Sequence, residues 1–223
     1  MAAFLANVGV NSAHAARSPL FEDGRFALLP IPERQPWRPP MLRLGDVDGL
    51  AAHARAAWRN RAVHLDPDLS ASTPTYGDNC RRAGRAFGLR RAERGDLIVF
   101  LARLQPISAA PQFHLVGCLE IDDALVDVTF DPGHGWWDGN AHIRRARATA
   151  IWDSFWVFKG SACGSRMFAR SYQFARKEVE KVFGPNWHWR TTRTELQTIG
   201  SYTRAVRRLD GRGEEWLRTI CKS

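Results

Sequence analysis

The chain has almost no lysine: Lys159, Lys177, Lys181 and Lys222 are the only four among 32 Lys+Arg, so arginine carries nearly all of the positive charge. It has no run of about 18 apolar residues, and so it reads as having no transmembrane helix. The stretch Met1–Val10 lacks the basic region of a signal peptide and reads as a first strand instead. Four cysteines, Cys80, Cys118, Cys163 and Cys221, are scattered with no CxxC pair. That argues against a disulfide framework and makes a reducing cytoplasm the expected location. GxxxxGK[ST], GxSxG and HExxH are all missing, as are an obvious Cys–His or Ser–His–Asp order, any internal repeat and any low-complexity tail.

What is present is a basic, aromatic-rich sequence. The net charge is +9, and nine tryptophans are many for 223 residues. The planar guanidinium of arginine suits phosphates and base edges and stacks on aromatic rings, so nucleic acid or a nucleotide is the expected partner. A GC-rich genome would also replace lysine by arginine, but it explains the net excess of charge less easily. With 44% hydrophobic and 25% charged residues the composition is that of an ordinary globular chain. The length suits a single domain over 1–223, with a β-rich core at 4–175 and a helical appendage at 190–223.

The stretch Arg94–Phe130 organises the rest. Gly95-Asp96 is a turn, and the short apolar runs at 97–101 and 113–121 read as a pair of buried strands. The spacing of Leu50, Ala54 and Trp58 predicts a helix over Asp46–Asn60. Cys80–Leu89 reads as a short basic helix with Asp78 or Asn79 as its cap and Gly88 at its end. Pro30–Pro40 must be an extended connector, and Asp153–Phe158 is a strand. Ser165–Ala175 fits a strand or a helix. Thr192–Glu195 fits a capping box opening a helix with Leu196, Ile199, Val206 and Leu209 on one face, and Glu214–Cys221 is a last short helix. The fold class expected is α+β, with a mixed, mostly antiparallel, barrel-like sheet and peripheral helices.

The loop Asp131–Arg147 carries the densest chemistry. In one reading Trp136 or Trp137 stacks a base, Asn140 reads its edge, and Arg144, Arg145 and Arg147 hold phosphates. In the other, the tryptophans cap the core and the arginines form a solvated face. Asp131, His134, Asp138 and His142 match no familiar zinc spacing, so neither a metal nor a cofactor is assigned. Tyr76, Asp78 and Asn79 with Arg81 and Arg82 form a second candidate, either a phosphate site at a helix start or a plain cap. Asn11 to His14 is a third, a polar loop after the first strand. Ser161, Ser165 and Arg166, between Lys159 and Arg166, could form an anion nest.

The order N-V-G-V-N at Asn7–Asn11, T-Y-G-D-N at Thr75–Asn79, G-D-L-I-V-F-L-A-R-L at Gly95–Leu104, N-A-H-I-R-R at Asn140–Arg145 and K-G-S…G-S-R at Lys159–Arg166 resembles the nucleotide-modification-associated domains, the third such family above all. The resemblance covers about residues 4–175 and implies a role with modified bases or nucleotides. The two core runs also resemble the central strands of PUA-like domains, the class of the YTH, EVE, ASCH and SRA readers. That second resemblance implies a small β-barrel holding a base in an aromatic pocket. Two functions follow. The favoured one is a nucleic-acid-associated reader that recognises a modified base or nucleotide through an aromatic pocket and a basic rim. The other is a transferase, hydrolase or nuclease acting on a base or nucleotide, with His14, Asp78, His134 and His142 as acid–base candidates. Titratable groups converging in one cleft would favour the enzyme; a cleft lined by Trp and Asn would favour the reader.

Overall fold

The computed structural model describes every residue except Ala15, Ala83, Asn186 and Ser223. In chain order its elements are β1 (Ala3–Val8), β2 (Ser18–Leu20), β3 (Ile31–Pro32), β4 (Leu42–Arg43), β5 (Ala62–His64), β6 (Thr75–Asp78), β7 (Leu97–Pro106), β8 (Gln112–Val128), α1 (Ala141–Thr149), β9 (Phe155–Gly160), β10 (Arg166–Gln173), α2 (Arg176–Phe183), α3 (Glu195–Tyr202), β11 (Arg207–Leu209) and α4 (Arg212–Lys222). The class is α+β.

The main sheet runs β11-β1-β7-β8-β9-β6, with β10 added beside β8 and β2 beside β7. Its pairs are antiparallel except β1 with β7 and β2 with β7. β11 and β6, the two ends of this path, do not pair. The barrel expected from the sequence is therefore not closed among the described residues. A small second sheet, β3-β5-β4, is antiparallel.

Both central runs are strands because the sheet is covered on both faces. Along β1 and β7, Phe4, Ala6, Ile98, Phe100 and Ala102 point into one core, and Ala3, Leu5, Leu97, Val99 and Leu101 into the other. The second core is closed by Val179 and Val182 of α2, Ile199 of α3 and Leu217 of α4. A strand buried on both faces needs apolar residues at every position, which erases the alternation of a half-exposed strand. β8 is 17 residues long and pairs with β10 as well as with β7 and β9. Gln112–Glu120 pairs with β7 and Ile121–Val128 with β9, with register shifts at 121–123 and 125–128 that bend it. That bend carries β9 and β6 to the site described below.

Four local expectations are corrected. Asp46–Asn60 is not one helix but short 3-10 turns at Leu44–Asp46, Ala51–His53 and Ala56–Trp58. The amide of Gly45 donates to the Arg59 carbonyl at 2.8 Å, so the two ends of the segment touch. A 15-residue helix would hold them about 22 Å apart. Trp58 still fills its own small core, with Leu50 and Ala54 packed against it. Of Cys80–Leu89, Ala83 lies outside the described residues. The rest forms turns, then a 3-10 turn over Phe87–Arg91. There the Asn79 side chain accepts from the Arg81 amide two residues on, a turn bond that competes with helix. The capping box sits two residues later than read. The Thr194 hydroxyl accepts from the Gln197 amide at 3.2 Å and the Gln197 side chain accepts from the Thr194 amide at 3.0 Å. Finally, α3 stops before Thr203, and Leu209 pairs with Ala3 as part of β11. The C-terminal segment thus contributes a strand as well as helices. Neither α1 nor α2 is anticipated by the sequence reading: the loop read over Asp131–Arg147 gives way to α1 at Ala141, where Asn140 caps a helix, whereas 165–175 resolves as strand β10.

Asp96 pins the start of the central pair. Its buried carboxylate accepts from the Ala2 amide at 2.6 Å and the Glu93 amide at 3.0 Å. Asp96→Ala orphans both donors and is expected to lower unfolding free energy by about 1–3 kcal/mol in urea denaturation; unchanged stability would remove this anchoring role.

Candidate functional site

β6 is short, but all four of its residues are buried. It runs along β9 with Gly77 opposite Val157 and Asp78 opposite Trp156. α1 begins against it. Asn140 caps that helix, accepting from the His142 amide at 2.9 Å, and its side-chain nitrogen donates to the Thr75 hydroxyl at 3.2 Å. One buried amide therefore fixes where His142 stands relative to β6. β5 delivers His64 on the same side, and the chain beyond it delivers Asp66.

These pieces line a cavity of about 690 Å³, within the range of small-molecule sites. Its floor is Asp66, Tyr76, Gly77, Asp78 and His142, and its rim includes Glu33, His64, Arg145 and the loop Asn11–His14. The Gly77 amide donates to both oxygens of Asp66, at 3.0 and 2.8 Å. Burial pushes the Asp66 carboxyl well above the usual carboxylate range, and the neighbouring Asp78 adds to the rise. Burial also drives His142 well below the ordinary imidazole value, helped by His64 and Arg145. Its ring stacks on Phe155 with centroids 5.1 Å apart, and its Nδ1 is buried without a hydrogen-bond partner. Nδ1 of His64 donates to Glu33 at 2.7 Å. Burial works against ionisation of Glu33, but that bond and the charges of His64 and Arg145 together outweigh it and hold the carboxyl below its usual range. The Tyr76 hydroxyl donates to Asp78 at 2.9 Å, and Arg85 pairs with the same oxygen at 3.2 Å. Burial first, then Asp78, raises the Tyr76 phenol well above its usual value.

A second cavity, of about 700 Å³, shares Asn11 and Arg85 with the first. Arg103 and Arg204 line it, together with Phe113 and Gln197, and among the described residues no carboxylate does. Nε of Arg103 is buried without a partner. Burial lowers its pKa, with Arg17 adding to the effect.

The residues singled out in the sequence divide between this site and elsewhere. Asn11, His14, Tyr76, Asp78, His142 and Arg145 line the first cavity. Arg145 also pairs with Asp153 at 3.0 Å. Asn140 is fully buried with both ends of its amide engaged, so it has no edge to offer a base. Asn79 is held by the Asp153 carbonyl and the Arg81 amide. Trp136 and Trp137 meet edge to face at 5.3 Å and pack on the small core of Val128, Ile143 and Phe155, away from the cavity. Their indole nitrogens donate to Asp123 and the Gly133 carbonyl. Arg147 ties the Gly-rich loop by pairing with Asp131 and Asp138. His134 bonds Asp138 at 3.0 Å on the surface, far in its contacts from His142. The set Asp131, His134, Asp138 and His142 is therefore not assembled. Arg81 and Arg82 are exposed, and Arg144 is half-buried outside the lining. Ser161 and Ser165 close a turn on Glu120, and Arg166 donates to the Cys221 carbonyl, so the nest reading loses its donors.

Sequence reading missed Glu33, His64, Asp66, Arg85, Arg103 and Arg204. His64 and Asp66 carried one signal: two positions apart in an extended chain, they share a face.

A family described as nucleotide modification associated domain 3 matches residues 3–219. The chain belongs to that family. No curated protein matches it. Among solved structures, human THYN1 protein in complex with 5-methylcytosine containing DNA is similar with a TM-score of 0.41 and 14% identity, over 100% of this chain and 99% of that one. In this nucleotide modification associated domain, Gly77 is the residue on which the site closes. A Cβ there would stand 2.6 Å from Cδ2 of His142, 3.0 Å from Oδ1 of Asn140 and 3.1 Å from Oδ2 of Asp66. Gly77→Ala is expected to cost about 1–3 kcal/mol by overpacking, read as a lower urea midpoint. A variant as stable as the parent would show that the cluster is loosely held.

Proposed function

We infer that the chain is an enzyme of nucleotide modification that takes a base or nucleotide into the first cavity, with phosphate held by the arginines of the second. The observation that carries this reading is the convergence of Glu33, His64, Asp66, Tyr76, Asp78 and His142 on one concave surface. Polar and titratable groups gathered in a cleft, several with displaced proton affinities, are the mark of a reacting site more than of a stacking pocket. An aromatic reader would present ring faces to its ligand. Here the tryptophans first considered for that role pack on a separate core.

The second cavity supports the partner class. Arg85, Arg103 and Arg204 stand together without a lining carboxylate. A phosphate would give the buried Nε of Arg103 the acceptor it lacks. Because Asn11 and Arg85 belong to both cavities, a nucleotide can lie across them. A base reaching the first cavity from a duplex must leave the stack at a cost of a few kcal/mol, which contacts on both sides must offset. That form of the reading also draws on the resemblance of Gly95–Phe100 and His114–Ile121 to PUA-like core strands. Family membership points to the same substrate class.

Replacing Arg103 and Arg204 together by alanine is expected to weaken binding of a short oligonucleotide and to lower the salt slope by about one per lost phosphate contact. Asp78→Asn is expected to keep binding while abolishing conversion of the nucleotide, followed by mass spectrometry of the digested products. Trp137→Ala should lower stability and leave affinity within about twofold. An unchanged salt slope in the double variant would remove the phosphate site. Tight binding with every nucleotide returned unaltered would make the protein a reader.

A further inference from the structure

We propose that His64, Asp66 and His142 form a binding site for one divalent transition-metal cation, open on its remaining side to the first cavity. This does not depend on the nucleotide reading, because it concerns binding of the metal alone.

Nε2 of His64 lies 3.7 Å from Oδ2 of Asp66, and Nε2 of His142 lies 3.6 Å from the same oxygen. One donor atom from each residue lies within 4.8 Å of the other two. Both separations are longer than a hydrogen bond, so neither imidazole is bonded to the carboxylate directly. They match what a shared ion requires: metal–ligand bonds of ~2.0–2.2 Å in a tetrahedral shell place neighbouring donors ~3.4 Å apart. The chemistry of the donors agrees. Glu33 accepts from Nδ1 of His64 at 2.7 Å, which leaves the Nε2 lone pair facing Asp66. A carboxylate on the far nitrogen of a ligand histidine is the usual means of fixing its tautomer and orientation. His142 is held instead by the ring of Phe155 and by the helix cap at Asn140.

Electrostatics provides a separate argument. The Asp66 side chain is 2% exposed, and its ion-pair contacts among the described residues are the two histidines, with no lysine or arginine. A buried carboxylate without a cationic partner is costly. The cation completes the group. Two imidazoles and one carboxylate favour zinc, iron, cobalt or manganese over magnesium or calcium, which take all-oxygen shells. Three protein ligands with an open side is the pattern of a catalytic site, in which water or substrate takes the remaining position.

The test is calorimetric titration of chelator-stripped protein with Zn²⁺, and with Co²⁺ as a spectroscopic probe. The expected result is one ion per chain. Affinity should fall at least 10-fold in His64→Ala and in Asp66→Asn, and about 10–100-fold in Glu33→Gln. His134→Ala, which alters an exposed histidine elsewhere, should bind as the parent does. Circular dichroism identifies any variant that fails to fold. The unaltered protein provides an independent reading: its Co²⁺ form should show hyperfine-shifted ring protons from two histidines and no thiolate charge-transfer band. Absence of binding to the folded parent, binding undiminished in folded His64→Ala and Asp66→Asn, or a Co²⁺ spectrum with thiolate or without histidine signals would overturn the assignment.

Discussion

Both oxygens of a buried carboxylate, Asp66, rest on a single backbone amide, that of Gly77. The site depends on this contact. It holds the segment after β5 against β6 and brings His64 and His142 to the same oxygen. It also requires a residue without a side chain at the point of closest approach. The contact is possible only because the surrounding fold is rigid there. β6 is locked to β9 by its ladder, and the helix bearing His142 is locked to β6 through Asn140. A carboxylate withdrawn from water is disfavoured as the ion unless something charged meets it. The groups that gather around it follow from that constraint.

The two cavities divide the chemistry. In the first, acids, a phenol and imidazoles face one another at hydrogen-bonding or near-bonding distances. In the second, Arg103 and Arg204 stand with no carboxylate among the described lining residues. Arg85 joins them, paired with Asp78 on one side and lining the basic cavity on the other. The excess positive charge of the sequence is thus partly concentrated where an anion could be held. Arg147, by contrast, is engaged by Asp131 and Asp138 in holding a loop.

The sheet was legible in the sequence where local pattern and tertiary demand agree. Leu97–Leu101 and Phe113–Ile121 read as strands because they are short runs bounded by turns, the first apolar throughout and the second apolar except at His114, Gly117 and Glu120; helices cover the second face. The 46–60 segment misled for the opposite reason: a helical stripe of Leu50, Ala54 and Trp58 survives, but the Gly45–Arg59 contact folds the segment back on itself. Within the site, Tyr76 and Asp78 were found from their chemistry at what reads as a helix start, and His142 in what reads as the loop Asp131–Arg147. Trp136 and Trp137 were drawn in by composition, and packing assigns them to a core. His64 and Asp66 were passed over because their meaning lies in His142, 76 residues on from Asp66. No local pattern reports a cluster that only the fold assembles.

The proposed function requires the two cavities to receive one nucleotide between them. A crystal structure of the protein with a bound nucleoside monophosphate tests it most directly. The base is expected beside Gly77 and His142 and the phosphate against Arg103 and Arg204. A ligand stacked on Trp136 or Trp137, with both cavities untouched, would contradict it.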